Sequence, residues 1–372
     1  MTDPGRAGRS GDDRVRRGWL RESADPLLAG TDAVLLDLDG TVYVGPAAVP
    51  RAATVLTAVR SAGVRLAFVT NNASLPAEDV AARLVALGVP AAAAEVVTSA
   101  EAAAGLLAER LPAGSRVLVV GGAGLTDALR VTGLVPVASA DDAPAAVVQG
   151  WAPELDWAQL AEGAYALAAG VPWVACNDDA TIPTGRGIAP GNGSFVALLS
   201  AVTGRTPDAV AGKPAVPLLQ RAALRLGARR ALVVGDRLDT DVAGAANAGL
   251  PSLLVLTGVT AVADLLAAAP GQRPTYLSPD LGGLLVHHPA PVQAGGRWRC
   301  RQAWAEVSRA GELRVKGSGP DVLRAACAAA WSAADVGAPM ARTGGPEDVL
   351  LADALGAAVT PEGPAAGWPP GR

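Results

Sequence analysis

Short runs of consecutive apolar residues recur along the 372-residue chain, and they alternate with segments in which apolar residues return every three to four positions. Continuous apolar runs are typical of strands buried on both faces, whereas the wider spacing predicts amphipathic helices. The predicted strands are 33–38, 64–69, 117–120, 231–234 and 252–256, and the clearest predicted helices are 51–61, 77–87, 194–202 and 215–226. This alternation predicts the α/β fold class, with a doubly wound parallel sheet.

Composition narrows the function classes. Half of the residues are hydrophobic but only 3% are aromatic, so the core must be built mainly from Ala, Val and Leu, and disorder of the whole chain is excluded. The formal net charge is −4 and no long basic run occurs, which argues against nucleic acid or an anionic membrane as the main partner and favours a small-molecule substrate. No apolar run approaches the roughly 20 residues of a membrane span, so no membrane insertion is expected.

Three cysteines, Cys176, Cys300 and Cys327, lie far apart and predict neither a disulfide framework nor a CxxC metal site. No apolar signal-peptide core follows the scattered arginines of the N-terminal segment. We therefore expect a cytoplasmic protein. Residues 1–30 and 359–372 lack apolar periodicity and predict flexible tails.

Polar residues follow several predicted strands at their carboxyl ends, which is where α/β sheets bind ligands. Asp37 and Asp39 end the first strand, and the period-two geometry of a strand turns both side chains to the same side. Two adjacent carboxylates repel each other unless a cation or a shared proton intervenes, and Gly40 allows a tight turn around a ligand. The pattern indicates Mg²⁺ and phosphate chemistry, although an isolated acid pair is also typical of an exposed loop.

Three further polar signals stand at or before strand ends. The segment Thr70-Asn71-Asn72 follows the second strand, where it could bind an anion or only close a turn. Lys213 is one of only two lysines in the chain and precedes the helix that leads to the predicted strand 231–234; alone, it could be a solvated charge at a helix end. Asp236 and Asp241 follow that strand within Gly-Asp-Arg-Leu-Asp-Thr-Asp and add a further acidic cluster.

In this order, the motifs resemble those of the haloacid dehalogenase (HAD) superfamily of phosphatases. The resemblance implies that Asp37 is the nucleophile that forms an aspartyl-phosphate, and that Asp39 is the general acid and base. It implies a Mg²⁺ cofactor held by Asp37, the backbone carbonyl of Asp39 and Asp236, with Asp241 in support. It also implies phosphate or substrate contacts from Gly40, Thr70, Asn71, Asn72 and Lys213.

An inserted domain is predicted between the second and third motifs, because 141 positions separate Asn72 from Lys213. We divide the chain into a HAD Rossmann-like phosphatase core at 31–95 and 189–285 and an α/β cap domain at 96–188. This order resembles subfamily IIA, whose cap lies between those motifs. That branch usually has Asn-Pro-Asp where this chain has Asn177-Asp178-Asp179, and the resemblance implies that Asn177 and Asp179 lie near the substrate.

A small C-terminal module is predicted at 290–358, with strands near 298–301, 303–308 and 312–315 and a helix at 321–334. The segment Arg314-Val-Lys316-Gly317-Ser-Gly319 resembles the loop with which GNAT-type acetyltransferases bind coenzyme A, so we describe the module as GNAT-like and α+β. At about 75 residues it is short for a full acetyltransferase domain. Weak binding of coenzyme A or another anion, a packing role and a homo-oligomer all stay open. The adjacent His287-His288 predict a surface loop.

A capped phosphatase fused to a GNAT-like module resembles the bacterial phosphatases that act on glycerol 3-phosphate in glycerophospholipid recycling. The resemblance implies glycerol 3-phosphate as the phosphomonoester substrate. Phosphoglycolate, pyridoxal phosphate, nucleotide monophosphates and sugar phosphates stay open as alternatives for the same chemistry. An alternative of another class is a regulatory protein that senses coenzyme A or a metabolite on a phosphatase scaffold.

Overall fold

The computed structural model describes residues 19–184 and 186–337. The strands of this part of the chain are, in chain order, β1 (Ala33–Leu36), β2 (Tyr43–Val44), β3 (Ala47–Ala48), β4 (Arg65–Thr70), β5 (Val96–Thr98), β6 (Arg116–Val120), β7 (Val135–Val137), β8 (Ala146–Gln149), β9 (Trp173–Ala175), β10 (Thr181–Thr184), β11 (Gly187–Pro190), β12 (Ala209–Val210), β13 (Ala231–Gly235), β14 (Ser252–Val255), β15 (Tyr276–Ser278), β16 (Val292–Ala294), β17 (Arg297–Cys300), β18 (Ala303–Val307) and β19 (Leu313–Lys316).

The helices are α1 (Leu27–Gly30), α2 (Ala52–Ser61), α3 (Ala77–Ala86), α4 (Ser99–Ala108), α5 (Ala123–Val131), α6 (Trp157–Ala168), α7 (Asn192–Thr203), α8 (Val216–Leu226), α9 (Ala243–Asn247), α10 (Val262–Leu266) and α11 (Gly319–Asp335). A π-helical turn at Leu238–Val242 precedes α9, and short 3-10 turns lie at Ala93–Glu95, Ala140–Asp142, Pro270–Gln272 and Leu281–Leu285. The helices and strands predicted from the apolar pattern are present, with ends shifted by at most two residues. Among the residues that the structure describes, no helix is both long and apolar enough to cross a bilayer.

The first sheet is six-stranded and parallel, in the order β15-β14-β13-β1-β4-β5. Alternate residues of β1 face opposite layers of helices: Leu35 packs with residues of α4, α8 and α9, whereas Val34 and Leu36 pack with residues of α2 and α3. The predicted doubly wound fold is thereby confirmed. Chain order reverses at β1, and such a switch point is where doubly wound folds bind ligands.

The second sheet is five-stranded and parallel, in the order β12-β9-β8-β6-β7. Helices α6 and α7 cover one face through Leu167 and Leu199, and α5 packs on the other through Leu125. One apolar cluster contains both Leu35 of the six-stranded sheet and Val117 of the five-stranded sheet, so the two sheets share a continuous core. Strands β10 and β11 form an antiparallel hairpin after β9.

The predicted boundaries between core and cap differ from the sheet membership. Strand β5 begins at Val96, the first residue assigned to the cap, but it pairs with β4 in the six-stranded sheet. Strand β12 at Ala209–Val210 was assigned to the core, but it pairs with β9 in the five-stranded sheet. Both boundaries were therefore placed too early. Two- and three-residue strands carry too little periodicity to be assigned from sequence, because long-range pairing decides where they lie.

The C-terminal unit is a four-stranded antiparallel sheet in the order β16-β17-β18-β19, with α11 packed on one face. Helix α11 also joins this unit to α10 and to the segment before β15, because the indole N–H of Trp331 donates to the carbonyl of Leu265 and Arg273 forms a bidentate pair with Asp335. The predicted strands and helix are confirmed. The likeness to GNAT-type acetyltransferases stays a prediction, and 338–358 and the predicted tail at 359–372 lie outside the described residues.

Part of the predicted N-terminal tail is packed. Residues 1–18 lie outside the described part of the chain, but Leu20 and Leu27 are buried and Trp19 contacts the ring of Trp298 at 4.7 Å between centroids. The N–H of Arg21 donates to the carbonyl of Thr275. The expectation of a flexible tail is therefore wrong for 19–30, where isolated apolar residues dock on the rest of the chain without forming a periodic pattern.

His288 is also buried, at 1% exposure, so the predicted surface loop is wrong for this histidine. Its Nε2 lies 2.8 Å from the carbonyl of Gly283, and its Nδ1 lies 3.2 Å from the guanidinium of Arg324 in α11. A carbonyl only accepts and a guanidinium only donates, so Nε2 carries the proton and Nδ1 is the acceptor. Burial lowers the pKa of His288, and the positive charge of Arg324 acts in the same direction.

Acid is expected to weaken this junction. The pKa of His288 is lower in the folded chain than its usual value of about 6.5. As the pH falls below about 6.5, the unfolded chain therefore takes up a proton that the folded chain does not. The stability that neutral His288 contributes above this pH is then lost. Between about pH 7.5 and 5, we expect Tm to fall several degrees further in the wild type than in His288→Gln, whose amide can keep both hydrogen bonds. His287→Gln, at the exposed neighbour, is the control and should follow the wild type. Identical pH profiles for the wild type and His288→Gln would contradict this account.

Candidate active site

The first two acids lie immediately beyond β1. The N–H of Asp37 donates to the carbonyl of Val234, which extends the pairing between β1 and β13 by one residue. The chain then turns into the β2–β3 hairpin, and the N–H of Gly40 donates to the carbonyl of Tyr43. This turn brings the hydroxyl of Tyr43 to 3.1 Å from Oδ2 of Asp39. Both predicted catalytic carboxylates therefore stand at the switch point of the sheet.

Lys213 lies between two carboxylates. It follows β12, precedes α8 and is only 2% exposed. Its Nζ is 2.5 Å from Oδ1 of Asp37 and 2.7 Å from Oδ1 of Asp241, and it also approaches the carbonyl of Val69 at 3.3 Å. A buried lysine is stable only when opposite charges and acceptors surround it, and all three positions of this ammonium are used here.

Asp236 completes the acidic cluster. It is fully buried, and its Oδ2 accepts the N–H of Val259 at 2.6 Å, while Oδ1 has no hydrogen-bond partner. Ligand atoms of Asp37, Asp236 and Asp241 lie within 4.8 Å of one another. Three carboxylates against the single ammonium of Lys213 leave two negative charges, and one buried oxygen is unpaired. These features fit a divalent cation, which prefers carboxylate oxygens.

Two glycines make room for the Asp236 carboxylate. A Cβ on Gly40 or on Gly258 would overlap it, and Gly40 also has a φ of +83°, which disfavours other residues. The loop that carries Gly258 is fixed on both sides, because Thr257 Oγ1 donates to the carbonyl of Gly40 and Thr260 Oγ1 donates to the carbonyl of Asp236, each at 2.5 Å. Gly40, predicted as a substrate contact, also has this packing role.

The electrostatics of the cluster follow from burial and crowding. Burial, with the adjacent charge of Asp241, raises the pKa of Asp37 well above its usual range and raises the pKa of Asp236 to about 7. Desolvation also raises the pKa of Asp39, although the hydrogen bond from Tyr43 opposes the shift. Burial disfavours the charge of Lys213, but its ion pairs with Asp241 and Asp37 outweigh burial and raise its pKa. Additional positive charge at this point would therefore be favourable.

The second motif is placed beside the lysine. Thr70 is buried at the end of β4, and its Oγ1 accepts the N–H of Asn72. The side-chain oxygen of Asn72 accepts two hydrogen bonds from Ser74, so it is directed into its own turn. The side chain of Asn71 contacts Lys213 instead, through hydrogen bonds to its backbone N–H and carbonyl.

The loop after β9, which belongs to the five-stranded sheet, contacts Asn71 of the second motif. Oδ2 of Asp179 accepts a hydrogen bond from Asn71 at 3.0 Å, and Nδ2 of Asn177 donates to the carbonyl of Asn71 at 2.7 Å. Burial raises the pKa of Asp179. Asp178, by contrast, is exposed. The structure therefore brings Asn177 and Asp179 next to the second motif, and their contact with substrate stays a prediction.

Sequence reasoning missed three contributors. Tyr43 bonds Asp39, and its ring lies under the guanidinium of Arg83 at 4.7 Å. Arg237 forms a bidentate pair with Asp239 beside the cluster. Gly258 makes room for Asp236. Only Gly258 carried a usable signal, because it follows the apolar run at 252–256 and the ends of such strands are where ligands bind.

Comparison with known proteins defines the class. The family described as haloacid dehalogenase-like hydrolase matches residues 34–135, and the one described as HAD-hydrolase-like matches residues 210–284. The chain belongs to the haloacid dehalogenase-like hydrolases. Among individual relatives, the D-glycerol 3-phosphate phosphatase of Mycobacterium tuberculosis is 47% identical over 311 residues, which are 81% of this chain and 86% of the relative. The acid sugar phosphatase of Staphylococcus saprophyticus is 34% identical and covers 68% of this chain and 96% of its own length.

Solved structures agree. A crystal structure of a glycerol phosphate phosphatase from Mycobacterium tuberculosis in complex with magnesium matches with a TM-score of 0.75 and 45% identity, over 83% of this chain and 92% of that one. The 4-nitrophenylphosphatase of Thermotoga maritima matches with a TM-score of 0.65 and 32% identity, over 70% of this chain and 98% of that one. These relatives are phosphatases, and the HAD-type phosphatase predicted from the motifs is confirmed.

Proposed function

We propose that the chain is a Mg²⁺-dependent phosphomonoesterase that hydrolyses glycerol 3-phosphate through an aspartyl-phosphate on Asp37. The observation that supports this most strongly is the buried ammonium of Lys213, which lies 2.5 Å from Asp37 and 2.7 Å from Asp241. A carboxylate nucleophile beside a fixed cation and further carboxylates is the arrangement that phosphoryl transfer to an aspartate requires.

The cation is assigned from the donor set. Asp37, Asp236 and the backbone carbonyl of Asp39 would hold Mg²⁺, and the unpaired Oδ1 of Asp236 supports this assignment. Asp241 already accepts hydrogen bonds from Lys213 and from the N–H of Arg237, so its role is to support the site. When bound, Mg²⁺ offsets the negative charge of the carboxylates and of the phosphoryl oxygens.

The reaction then proceeds in two steps on residues of this chain. Asp37 attacks phosphorus, the bond from phosphorus to the glycerol oxygen breaks, and Asp39 gives its proton to that oxygen. Water next attacks the phosphorus of the aspartyl-phosphate and gives a proton to Asp39, and the bond from phosphorus to the Asp37 oxygen breaks. Phosphate then leaves, with Asp37 again a carboxylate and Asp39 again protonated. Lys213 and Thr70 offset charge on the transferred group, and Tyr43 orients Asp39 by its hydrogen bond.

The choice of substrate rests on the relative with the highest identity given above, which is named a D-glycerol 3-phosphate phosphatase and matches over 81% of this chain. A sugar phosphate is the second candidate, because relatives named acid sugar phosphatases are 34% identical over about two thirds of this chain. The wider coverage of the first relative includes part of the C-terminal region, and the higher identity favours glycerol 3-phosphate.

The five-stranded sheet, with its helices and hairpin, is the proposed cap, because its loop with Asn177 and Asp179 reaches the motifs. A cytoplasmic location is supported by three free cysteines that are all buried. Binding of coenzyme A by the C-terminal loop and a homo-oligomer are not needed for this function.

Metal removal and a substrate panel test the proposal. Phosphate release should require Mg²⁺, falling by about 100-fold or more in EDTA and returning when Mg²⁺ is restored. The kcat/KM for glycerol 3-phosphate should be about 10-fold or more above the values for glucose 6-phosphate, phosphoglycolate, pyridoxal phosphate and a nucleotide monophosphate. Preference for another ester would change the proposed substrate but leave the proposed reaction unchanged. Full activity in EDTA would contradict the cation assignment, and hydrolysis of no ester would overturn the function.

A further inference from the structure

Asn71 has every polar group of its side chain occupied. Its Oδ1 accepts the backbone N–H of Lys213 at 2.8 Å, and its Nδ2 donates to the backbone carbonyl of Lys213 at 2.9 Å and to Oδ2 of Asp179 at 3.0 Å. An amide nitrogen has two hydrogens, and both are used here. The side chain therefore has no N–H left for a phosphoryl oxygen, and the contact that the family resemblance implied for it does not fit this arrangement.

The backbone of Asn71 is held as well. Its carbonyl accepts hydrogen bonds from Nδ2 of Asn177 at 2.7 Å and from the hydroxyl of Ser99 at 2.5 Å. Gly212 passes so close that a Cβ there would lie 2.6 Å from the carbonyl of Cys176 and 2.7 Å from Oδ1 of Asn71. Four segments of the chain, the ends of β4 and β9, the start of α4 and the loop before α8, thus meet on one residue.

We propose that Asn71 is a positioning residue, which holds the backbone of Lys213 on both sides and links the lysine to Asp179 of the five-stranded sheet. This inference rests on the proposed function. Fixing both the N–H and the carbonyl of Lys213 determines the direction in which its side chain leaves the backbone. The ammonium can then reach Asp37 and Asp241 together, at 2.5 and 2.7 Å. Because Asp179 shares the same amide, contact with the five-stranded sheet and the placement of the lysine depend on each other.

An exchange of the two polar groups tests this role. Asn71→Asp keeps the size of the side chain but sets a carboxylate against the carbonyl of Lys213 and the carboxylate of Asp179. We expect kcat for p-nitrophenyl phosphate to fall by about 100-fold, because small displacements of a catalytic group have effects of this size. Asp179→Asn alone should lose only a few-fold. The double variant Asn71→Asp/Asp179→Asn restores a donor and an acceptor in reversed order, so it should regain about 10-fold over Asn71→Asp.

The matched control is Asn247→Asp. The exposed amide of Asn247 donates to the carbonyl of Pro214, the residue after Lys213, but it contacts neither Lys213 nor Asp179 through an interaction that the structure describes. Its kcat should stay within about twofold of the wild type. If Asn71 bound phosphate directly, the carboxylate of Asn71→Asp would repel substrate whatever stands at position 179, so the absence of rescue in the double variant would overturn the proposal.

A second readout does not depend on activity. The urea midpoint of unfolding should fall in Asn71→Asp and recover in the double variant, because the same hydrogen bond is restored. Additive changes in the midpoint would overturn the proposed link between Asn71 and Asp179. Failure of the wild type to hydrolyse both p-nitrophenyl phosphate and glycerol 3-phosphate would overturn the proposed function instead. If Asn71→Asp does not fold, Asn71→Ser removes the same bonds without adding charge and should lower kcat by more than it raises KM.

Discussion

Replacement of Asp37 by Asn is expected to lower kcat by about 10⁴-fold or more, because an amide cannot form the aspartyl-phosphate. The same substitution should not lower the stability of the fold. Burial and the charge of Asp241 raise the pKa of Asp37, so the ionised carboxylate is unfavourable where it stands. We therefore expect the Tm of Asp37→Asn in EDTA to equal or exceed that of the wild type. The measurements are steady-state phosphate release and thermal unfolding.

The intermediate gives a direct check on the same variant. Acid-quenched wild type should contain a covalent phosphoryl group that Asp37→Asn lacks, as read by mass spectrometry of the peptide with residues 33–42. Asp178→Asn is the matched control, since it removes an exposed carboxylate close to Asp179 and should keep wild-type turnover and labelling. Wild-type turnover in Asp37→Asn would show that another residue is the nucleophile.

The proximity of Asp37, Asp236 and Lys213 could be predicted because it depends on strand ends. Asp37 and Asp236 follow apolar runs, and the carboxyl ends of parallel strands meet at one edge of the sheet. Lys213 carried a weaker signal, its rarity in an arginine-rich chain, and needed the order of the motifs to be interpreted. In the structure it contacts both Asp37 and Asp241, although 176 positions separate it from Asp37 in sequence.

What could not be predicted is set by contacts between distant segments. The side chain of Asn71 was assigned to phosphate from the order of the motifs. Motif order does not show which hydrogen-bond partners an amide finds. In the structure, the partners are the backbone of Lys213 and the side chain of Asp179. His288 was assigned to the surface because two adjacent histidines without nearby acids or thiols make a poor metal site. It is buried by α11, whose Arg324 is 36 positions away. Sequence patterns report local burial, and these hydrogen bonds depend on tertiary packing.

Removal of the ammonium of Lys213 should cause the other large loss of activity. In Lys213→Met, kcat is expected to fall by about 10³-fold, because the developing charge of the phosphoryl group loses its fixed cation and Asp37 loses the group that orients it. Stability should fall too, since the buried carboxylates of Asp37 and Asp241 then face each other without compensation. The lysine is so deeply buried, at 2% exposure, that solvent cannot take its place.

The metal distinguishes a charge effect from simple loss of packing in this variant. If the ammonium and a divalent cation offset the same carboxylates, Mg²⁺ should raise the Tm of Lys213→Met by more than it raises that of the wild type. Lys316→Met changes the only other lysine, which lies exposed on β19, and should match the wild type in kcat and in its response to Mg²⁺. An equal response of Lys213→Met and wild type to Mg²⁺ would mean that Lys213 and the cation act on separate charges, and the shared cluster of Asp37, Asp236 and Asp241 would have to be reassigned.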